Sequence, residues 1–370
     1  MPLSRTNLQP LRGFAETMVL AAAGGATFNY LGFPAGWMAG SLLCSAVAAL
    51  CARPIQVPTP VARLFFIALG IVIGGVATPE TMQGMATWPA SIVLISVAML
   101  ALTIASATYL RLVHGWDVQT ALFSAVPGAL SQVSAIALER DADLRAIIIV
   151  QTVRVVILAV GVPVGLAIVG IAAPPRLAAG AVDYAEAPLQ LLMLVAGGTA
   201  AAFALYRVGF SGGFFFGPMI VSAALHGSGL VQLNLPAWIA NLAMIGLGAI
   251  NGARFNRTSF RLLLSFLLPS IGALAVSLCV AAVFVALAML LMPLKLANLV
   301  VSYAPGSVDV MMILALALHL DPVFIGAHHL ARILVVSIAL PIGAKLTDPR
   351  RPQAHHLSAP METARETLED

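Results

Sequence analysis

The stretch Pro127–Gly165 reads PGALSQVSAIALERDADLRAIIIVQTVRVVILAVGVPVG, and Pro305–Gly343 reads PGSVDVMMILALALHLDPVFIGAHHLARILVVSIALPIG. The two align without a gap at an offset of 178 (305 less 127), which sets Asp143 on Asp321, Arg154 on Arg332, Pro163 on Pro341 and Gly165 on Gly343. Charged residues, prolines and glycines are scarce in apolar spans, so their coincidence says more than matched leucines would. The same offset carries Pro58 onto Pro236, Leu69-Gly70 onto Leu247-Gly248, and Gly74 onto Gly252. One residue less places Gly32-Phe33 on Gly209-Phe210, Gly36 on Gly213 and Gly40 on Gly217. Duplicated membrane bundles are typical of secondary transporters, whose sites lie where the repeats meet.

Composition sets the broad class. Of 370 residues, 60% are hydrophobic and 9% charged, with a mean hydropathy of +0.99. Apolar windows long enough to span roughly 30 Å of hydrocarbon recur along the whole chain. The expected fold is an all-α polytopic membrane protein. The apolar run after Arg12 continues into further spans, which argues against a removable signal peptide. Cys44, Cys51 and Cys279 sit in or beside apolar segments without paired spacing and read as small hydrophobes. The net charge of +4 reflects loop arginines rather than a nucleic-acid surface.

Each half reads as six elements. Spans are expected at 13–31, 34–51, 61–77 and 89–110, then a segment 116–138 broken at Pro127-Gly128, then 146–172. The second half repeats them at 188–206, 210–226, 237–253, 261–292, 300–320 (broken at Pro305-Gly306) and 322–343. This gives 10–12 spans in two homologous repeats of about five helices plus a broken segment each, 1–175 and 176–343. The link 173–188 reads as a connector, and 344–370 as a disordered tail. If the broken segments are re-entrant, Arg5, Arg12, Arg53, Arg63, Arg111, Arg140, Arg145, Arg207, Arg254, Arg257, Arg261, Lys345, Arg350 and Arg351 share one face. The other face keeps Arg176 and Lys295 beside Glu80, Asp183, Glu186 and Asp321. The positive-inside rule then places both termini in the cytoplasm and inverts the repeats. A segment of that length is also long enough to cross, which would leave the repeats parallel.

Proline removes a donor and clashes with the preceding turn, while glycine tolerates the bend. Broken backbone at membrane depth survives only where protein or a water-filled cavity satisfies the freed groups. Paired breaks at Pro127-Gly128 and Pro305-Gly306, each followed by small polar residues (Ser131, Gln132 and Ser134; Ser307 and Asp309), point to a paired cavity lining. Arg154 and Arg332 fall near mid-depth of their spans at 1.5 Å rise per residue. A charge there costs on the order of 3 kcal/mol, so each must face inward and find a partner. Two readings stand for them. They present a planar donor pair to an anionic solute, or they tie the bundle by binding carbonyls at the facing break. Gln151 and His329 are repeat partners three residues before each arginine, on nearly its face. Asp309 has Ser131 as its counterpart and is expected to serve as counter-ion to Arg332 or Arg154, or to carry a coupling proton.

His328-His329 point about 100° apart on a helix and do not chelate as an i, i+4 pair, so no metal site is expected. The Gly36/Gly40 and Gly213/Gly217 pairs read as close helix packing. Asn251 and Asn256 either line a pathway or cap a helix end. There is no phosphate loop, nucleophile elbow or metal quartet, so neither an enzyme nor a cofactor is expected.

The motifs FPAGWMAGSL (33–42), VPGALSQVSAIALERDADLRAIIIVQTVRV (126–155), GLGAINGARF (246–255) and YAPGSVDVMMILALALHLDPVFIGAHHLARI (303–333) resemble the AbrB family of duplicated bacterial integral membrane proteins. The resemblance covers nearly the whole chain to about Pro341. That family is often labelled an ammonia monooxygenase or a regulator of gene expression, and it shares only a name with the small soluble AbrB-type transcription factors. The resemblance implies an inner-membrane location and a transporter-like fold. The monooxygenase label finds no copper-binding cluster here. The expected function is secondary transport of a small, anionic solute at the repeat interface, with Arg154, Arg332, Asp309, Gln151, His329 and Ser131 as solute contacts. The alternative is a membrane sensor that regulates expression through a partner protein. The expected partners are lipid, a small solute and, for assembly, a second copy of the chain.

Overall fold

A computed structural model describes residues 5–79, 85–128, 130–140, 142–170, 188–210, 212–256 and 258–347. Among them are fourteen α-helices, two short 3-10 turns and no strand. The first half contributes α1 (Arg5–Tyr30), α2 (Gly36–Leu50), α3 (Thr59–Gly74), α4 (Pro89–His114), α5 (Val118–Ala125), α6 (Leu130–Glu139) and α7 (Leu144–Ile168). The second contributes α8 (Pro188–Arg207), α9 (Gly213–Gly227), α10 (Ala237–Gly252), α11 (Phe260–Leu291), α12 (Leu296–Tyr303), α13 (Val308–Ala317) and α14 (Pro322–Leu346). Five of them, α4, α7, α8, α11 and α14, are long and apolar enough to cross a membrane. With the shorter apolar helices packed between them, this is a multi-pass membrane protein. The expected link at 173–188 and the tail after 347 lie almost wholly outside the described residues.

Local chemistry sets the boundaries. Pro60, Pro89 and Pro322 stand in the first turns of their helices, where no donor is missed. The Asp143 carboxylate accepts from the N–H groups of Arg145 and Ala146, and Asp321 accepts from Val323 and Phe324. The aligned aspartates are therefore matched N-caps of α7 and α14. Gly115 closes α4 at φ 69°, a conformation that costs an L-residue energy and glycine little.

Packing treats the halves alike. The pair α1·α2 matches α8·α9, α3·α9 matches α10·α2, α5·α7 matches α12·α14, and α4 packs on α11. Glycine makes the closest crossings. A Cβ at Gly40 would fall 2.1 Å from the Gly24 carbonyl oxygen, and one at Gly74 would fall 2.3 Å from that of Met219. Gly70 meets Phe215 and Gly248 meets Met38 in the same manner, so the aligned glycines bring α3 onto α9 and α10 onto α2. Burial then sorts the long helices. The apolar windows of α7 and α14 are 61% and 50% buried, against 17% for α8 and 28% for α11, so the arginine-bearing helices form the centre.

Both broken segments double back. The Asp143 N–H, after α6, donates to Thr120 Oγ1 at the start of α5 (2.9 Å), and the Asp321 N–H donates to Asn298 Oδ1 at the start of α12 (3.2 Å). Each segment thus begins and ends at one end of the bundle. The two ends differ. Gln119 beside the first opening reaches the Thr347 carbonyl at the far end of α14 (3.5 Å), whereas Lys295 and Asp321 at the second share a cleft with Val76 and Trp88. Lys345 in the last turn of α14 stands with Thr347 at the first end. A 3.5 Å bond from Arg63 to the Tyr206 hydroxyl joins the start of α3 to the last turn of α8, which also holds Arg207.

Candidate functional site

α5 and α12 stop at their Pro-Gly pairs, and their last carbonyls have no helical partner. The arginines take them. Arg154 Nη1 donates to the Ala125 carbonyl (2.9 Å), and its Nη2 donates to those of Ser124 (3.3 Å) and Val126 (3.0 Å). Arg332 Nη1 donates to Ala304 (3.0 Å) and Nη2 to Gly306 (2.8 Å), and Arg332 Nε has no partner. A cation at a helix C-terminus also offsets the dipole that ends there. Gln151 adds a bond from Nε2 to the Phe123 carbonyl (2.9 Å). Among the described residues, the side-chain hydrogen bonds of Arg154 and of Gln151 beside it go to the backbone of α5 or its break.

The two breaks touch. Gly128 stands at φ 80°, and a Cβ there would lie 3.1 Å from Arg332 Nη2 and 3.4 Å from the Gly306 carbonyl oxygen. Pro127 and Pro305 are buried beside them. A second cross-half link joins Gln132 Nε2 to Ser337 Oγ at 3.0 Å. The side chain of Ser131 lies outside the described residues. His329 is fully buried next to Arg332, and neither ring nitrogen makes a hydrogen bond of ordinary geometry. His328 is held by Ser91 Oγ (2.8 Å) and the Phe324 carbonyl (2.7 Å) near the other end of the bundle.

Asp309 makes no ion pair with either arginine. It sits in the first turn of α13, where a carboxylate is favoured by the helix dipole. Asn251 Nδ2 of α10 donates to its Oδ2 (2.9 Å), and the Ser307 hydroxyl donates to its Oδ1. Arg254, which follows the α10 end that carries Asn251, feels the Asp309 charge. The two do not form an ion pair.

Asp309, Ser307, Arg254 and Gly128 line one cavity of about 480 Å³. Arg63 and Thr59 at the start of α3 stand in its wall with Phe66, Phe210 and Phe214, which places the cavity toward the arginine-rich end. Arg63 lies over the Tyr206 and Phe214 rings, 4.9 and 4.8 Å from their centroids. Of the expected site residues, Asp309 and Gly128 line the cavity. Arg154, Arg332, Gln151, His329, Pro127, Pro305 and Gly306 are not among its lining residues. Arg254 and Arg63 are the additions; Asn251, read as a pathway or capping residue, bonds Asp309 without lining the cavity. Arg254 stands in the GLGAINGARF motif, but as a charge after a span it reads simply as a cytoplasmic loop residue. Among the described residues no group of three His, Cys, Asp or Glu side chains could hold a metal.

A family profile described as "Transition state regulatory protein AbrB" matches residues 37–348. The chain belongs to the AbrB family. A relative from Bacillus subtilis (strain 168), named "Uncharacterized protein YhjN", is 23% identical over 352 residues, covering 88% of this chain and 90% of its own. The match runs through both Pro-Gly breaks and through Arg254, so the cavity and its supporting arginines lie inside the AbrB region.

Proposed function

We propose that this AbrB-family protein is a secondary transporter of a small solute bearing an anionic group. The observation that carries the reading is the cavity at the arginine-rich end, whose floor is formed by Gly128 of one break and by Ser307 and Asp309 beside the other. Two halves whose broken segments open at opposite ends offer a route for alternating access, since exchanging their arrangements would open the floor to the other face. Arg254 and Arg63 supply positive charge on the wall, and the arginines behind hold the broken helices in place. The protein acts in the bacterial inner membrane with both termini cytoplasmic, so the cavity faces the cytoplasm. It is not an enzyme, and it assembles with copies of itself in the bilayer.

Uptake into proteoliposomes tests this, with radiolabelled succinate, glutamate, phenylalanine and phosphate as probes. Wild type is expected to accumulate at least one of them above empty liposomes. Ala62→Trp, which puts a large ring into the cavity wall, is expected to abolish that uptake. No uptake of any probe, or equal uptake by the variant, contradicts the reading.

The regulatory wording of the family description favours a second reading, a membrane sensor acting through a partner protein. It expects Ala62→Trp to restore normal gene expression to a deletion strain. The transporter reading expects that variant to behave like the deletion.

A further inference from the structure

Arg254 and Asp309 line the same cavity and feel each other's charge, yet they form no ion pair. Among the described residues, Arg254 has no hydrogen-bond partner for its guanidinium. Asp309 is held by hydrogen bonds from Asn251 and Ser307. Each carboxylate oxygen has accepted one bond and retains capacity for a second. Two opposite charges kept apart in one cavity, each still able to bind, form a dipolar receptor. Phe66, Phe210 and Phe214 supply an apolar wall beside it. The volume of about 480 Å³ falls in the lower part of the roughly 300–1,000 Å³ range of small-molecule sites.

Building on the transporter reading, we infer that the solute is a zwitterion with an apolar body, an α-amino acid with an aromatic or branched side chain. Its carboxylate lies on the Arg254 guanidinium, a fork that suits a planar anion. Its ammonium donates to Asp309, and its side chain lies on the phenylalanine wall. Arg254 and Asp309 stand in one cavity beyond ion-pair reach of each other, so a single zwitterion can bridge them. A plain anion would leave Asp309 facing it as a like charge, and a plain amine would leave Arg254 without a partner. Arg63, already held on Tyr206 and Phe214, stands in the wall as the positive charge that draws the carboxylate in.

Calorimetric titration of the purified full-length protein in nanodiscs tests this. The probes are L-phenylalanine, phenylacetate (no ammonium), phenethylamine (no carboxylate), glycine (no apolar body) and succinate. In the wild type, L-phenylalanine is expected to bind at least tenfold more tightly than each of the other four. Arg254→Gln and Asp309→Asn, with melting temperatures close to wild type, are each expected to weaken L-phenylalanine at least tenfold. Arg254→Gln should not further weaken phenethylamine. Phenylacetate binding as tightly as L-phenylalanine, with Asp309→Asn neutral or tightening, overturns the zwitterion. So does succinate binding that Arg254→Gln abolishes while L-phenylalanine is silent; both results leave the transporter of an anion-bearing solute standing. Silence from every probe in the wild type overturns the zwitterion, and with no uptake in proteoliposomes it overturns the transporter as well. The wild-type series decides the matter even where a variant fails to fold.

Discussion

Arg332 belongs to one half of the molecule and presses on the break of the other: its Nη2 lies 3.1 Å from the point a Cβ would occupy at Gly128. The same nitrogen donates to the Gly306 carbonyl at 2.8 Å, so one guanidinium holds its own half's break against the facing one. A side chain at 128 would have to displace it and adopt φ 80°. Gly128→Ala is expected to destabilise the protein by about 1–3 kcal/mol, from the left-handed backbone and the crowding together. Its melting temperature in detergent should fall clearly below that of the wild type.

Arg154 and Arg254 separate support from binding. Arg154→Ala leaves the Ser124, Ala125 and Val126 carbonyls without their donor, at about 1–3 kcal/mol for each buried group left unpaired. It should express poorly or melt early, with Arg154→Lys intermediate because an ammonium lacks the planar fork. Arg254→Gln breaks no described hydrogen bond and should melt like wild type while losing solute. The thermal melts of the three variants, read beside a binding assay, check this. An Arg154→Ala protein of wild-type stability would contradict the tie.

The matched caps give matched costs. Asp143→Ala and Asp321→Ala each remove a carboxylate accepting two backbone N–H groups, worth about 0.5–2 kcal/mol. Hydrogen exchange should quicken at 145–147 in the first and 323–325 in the second, with neither touching the other half.

Gly74 sets the contact between α3 and α9 across the halves. Gly74→Leu puts a branched side chain where a single Cβ would already lie 2.3 Å from a backbone oxygen. Backbone must then shift, and a loss of about 1–3 kcal/mol or more is expected. Val76→Leu, on a more exposed position one turn end away, should be near neutral in the same melt.

The 178-residue sequence correspondence was legible because Pro127-Gly128, Asp143 and Arg154 belong to residue types that apolar spans seldom use, so their counterparts stood out. The close packing read for Gly40 and Gly217 is seen against Gly24 and Ala201, whereas the role of Gly70, Gly74, Gly248 and Gly252 at crossings between the halves shows only in the structure. The jobs of the aspartates were not legible. Asp321 read as a charge on the face opposite the arginines and Asp143 only as its aligned partner, and the helix boundaries show both as caps. The two readings of Arg154 and Arg332 could not be separated either, since charge at mid-depth demands a partner without saying whether backbone or solute supplies it. Arg254 was hidden for a different reason. It follows a span among other arginines, and the positive-inside pattern explains such a charge without any site. Its approach to Asp309 depends on α10 packing beside the start of α13, a contact that runs through Asn251.

The central claim is that the cavity floor opens to both faces of the membrane in turn. It is tested by placing one cysteine at Ser307→Cys, with Cys44, Cys51 and Cys279 replaced by alanine, and labelling inside-out and right-side-out vesicles with a membrane-impermeant thiol reagent. Labelling from both faces is expected, faster from the face that carries Arg53 and Arg63, with Ala62→Trp suppressing that faster reaction. Labelling confined to one face under all conditions would make the cavity a closed recess and contradict transport.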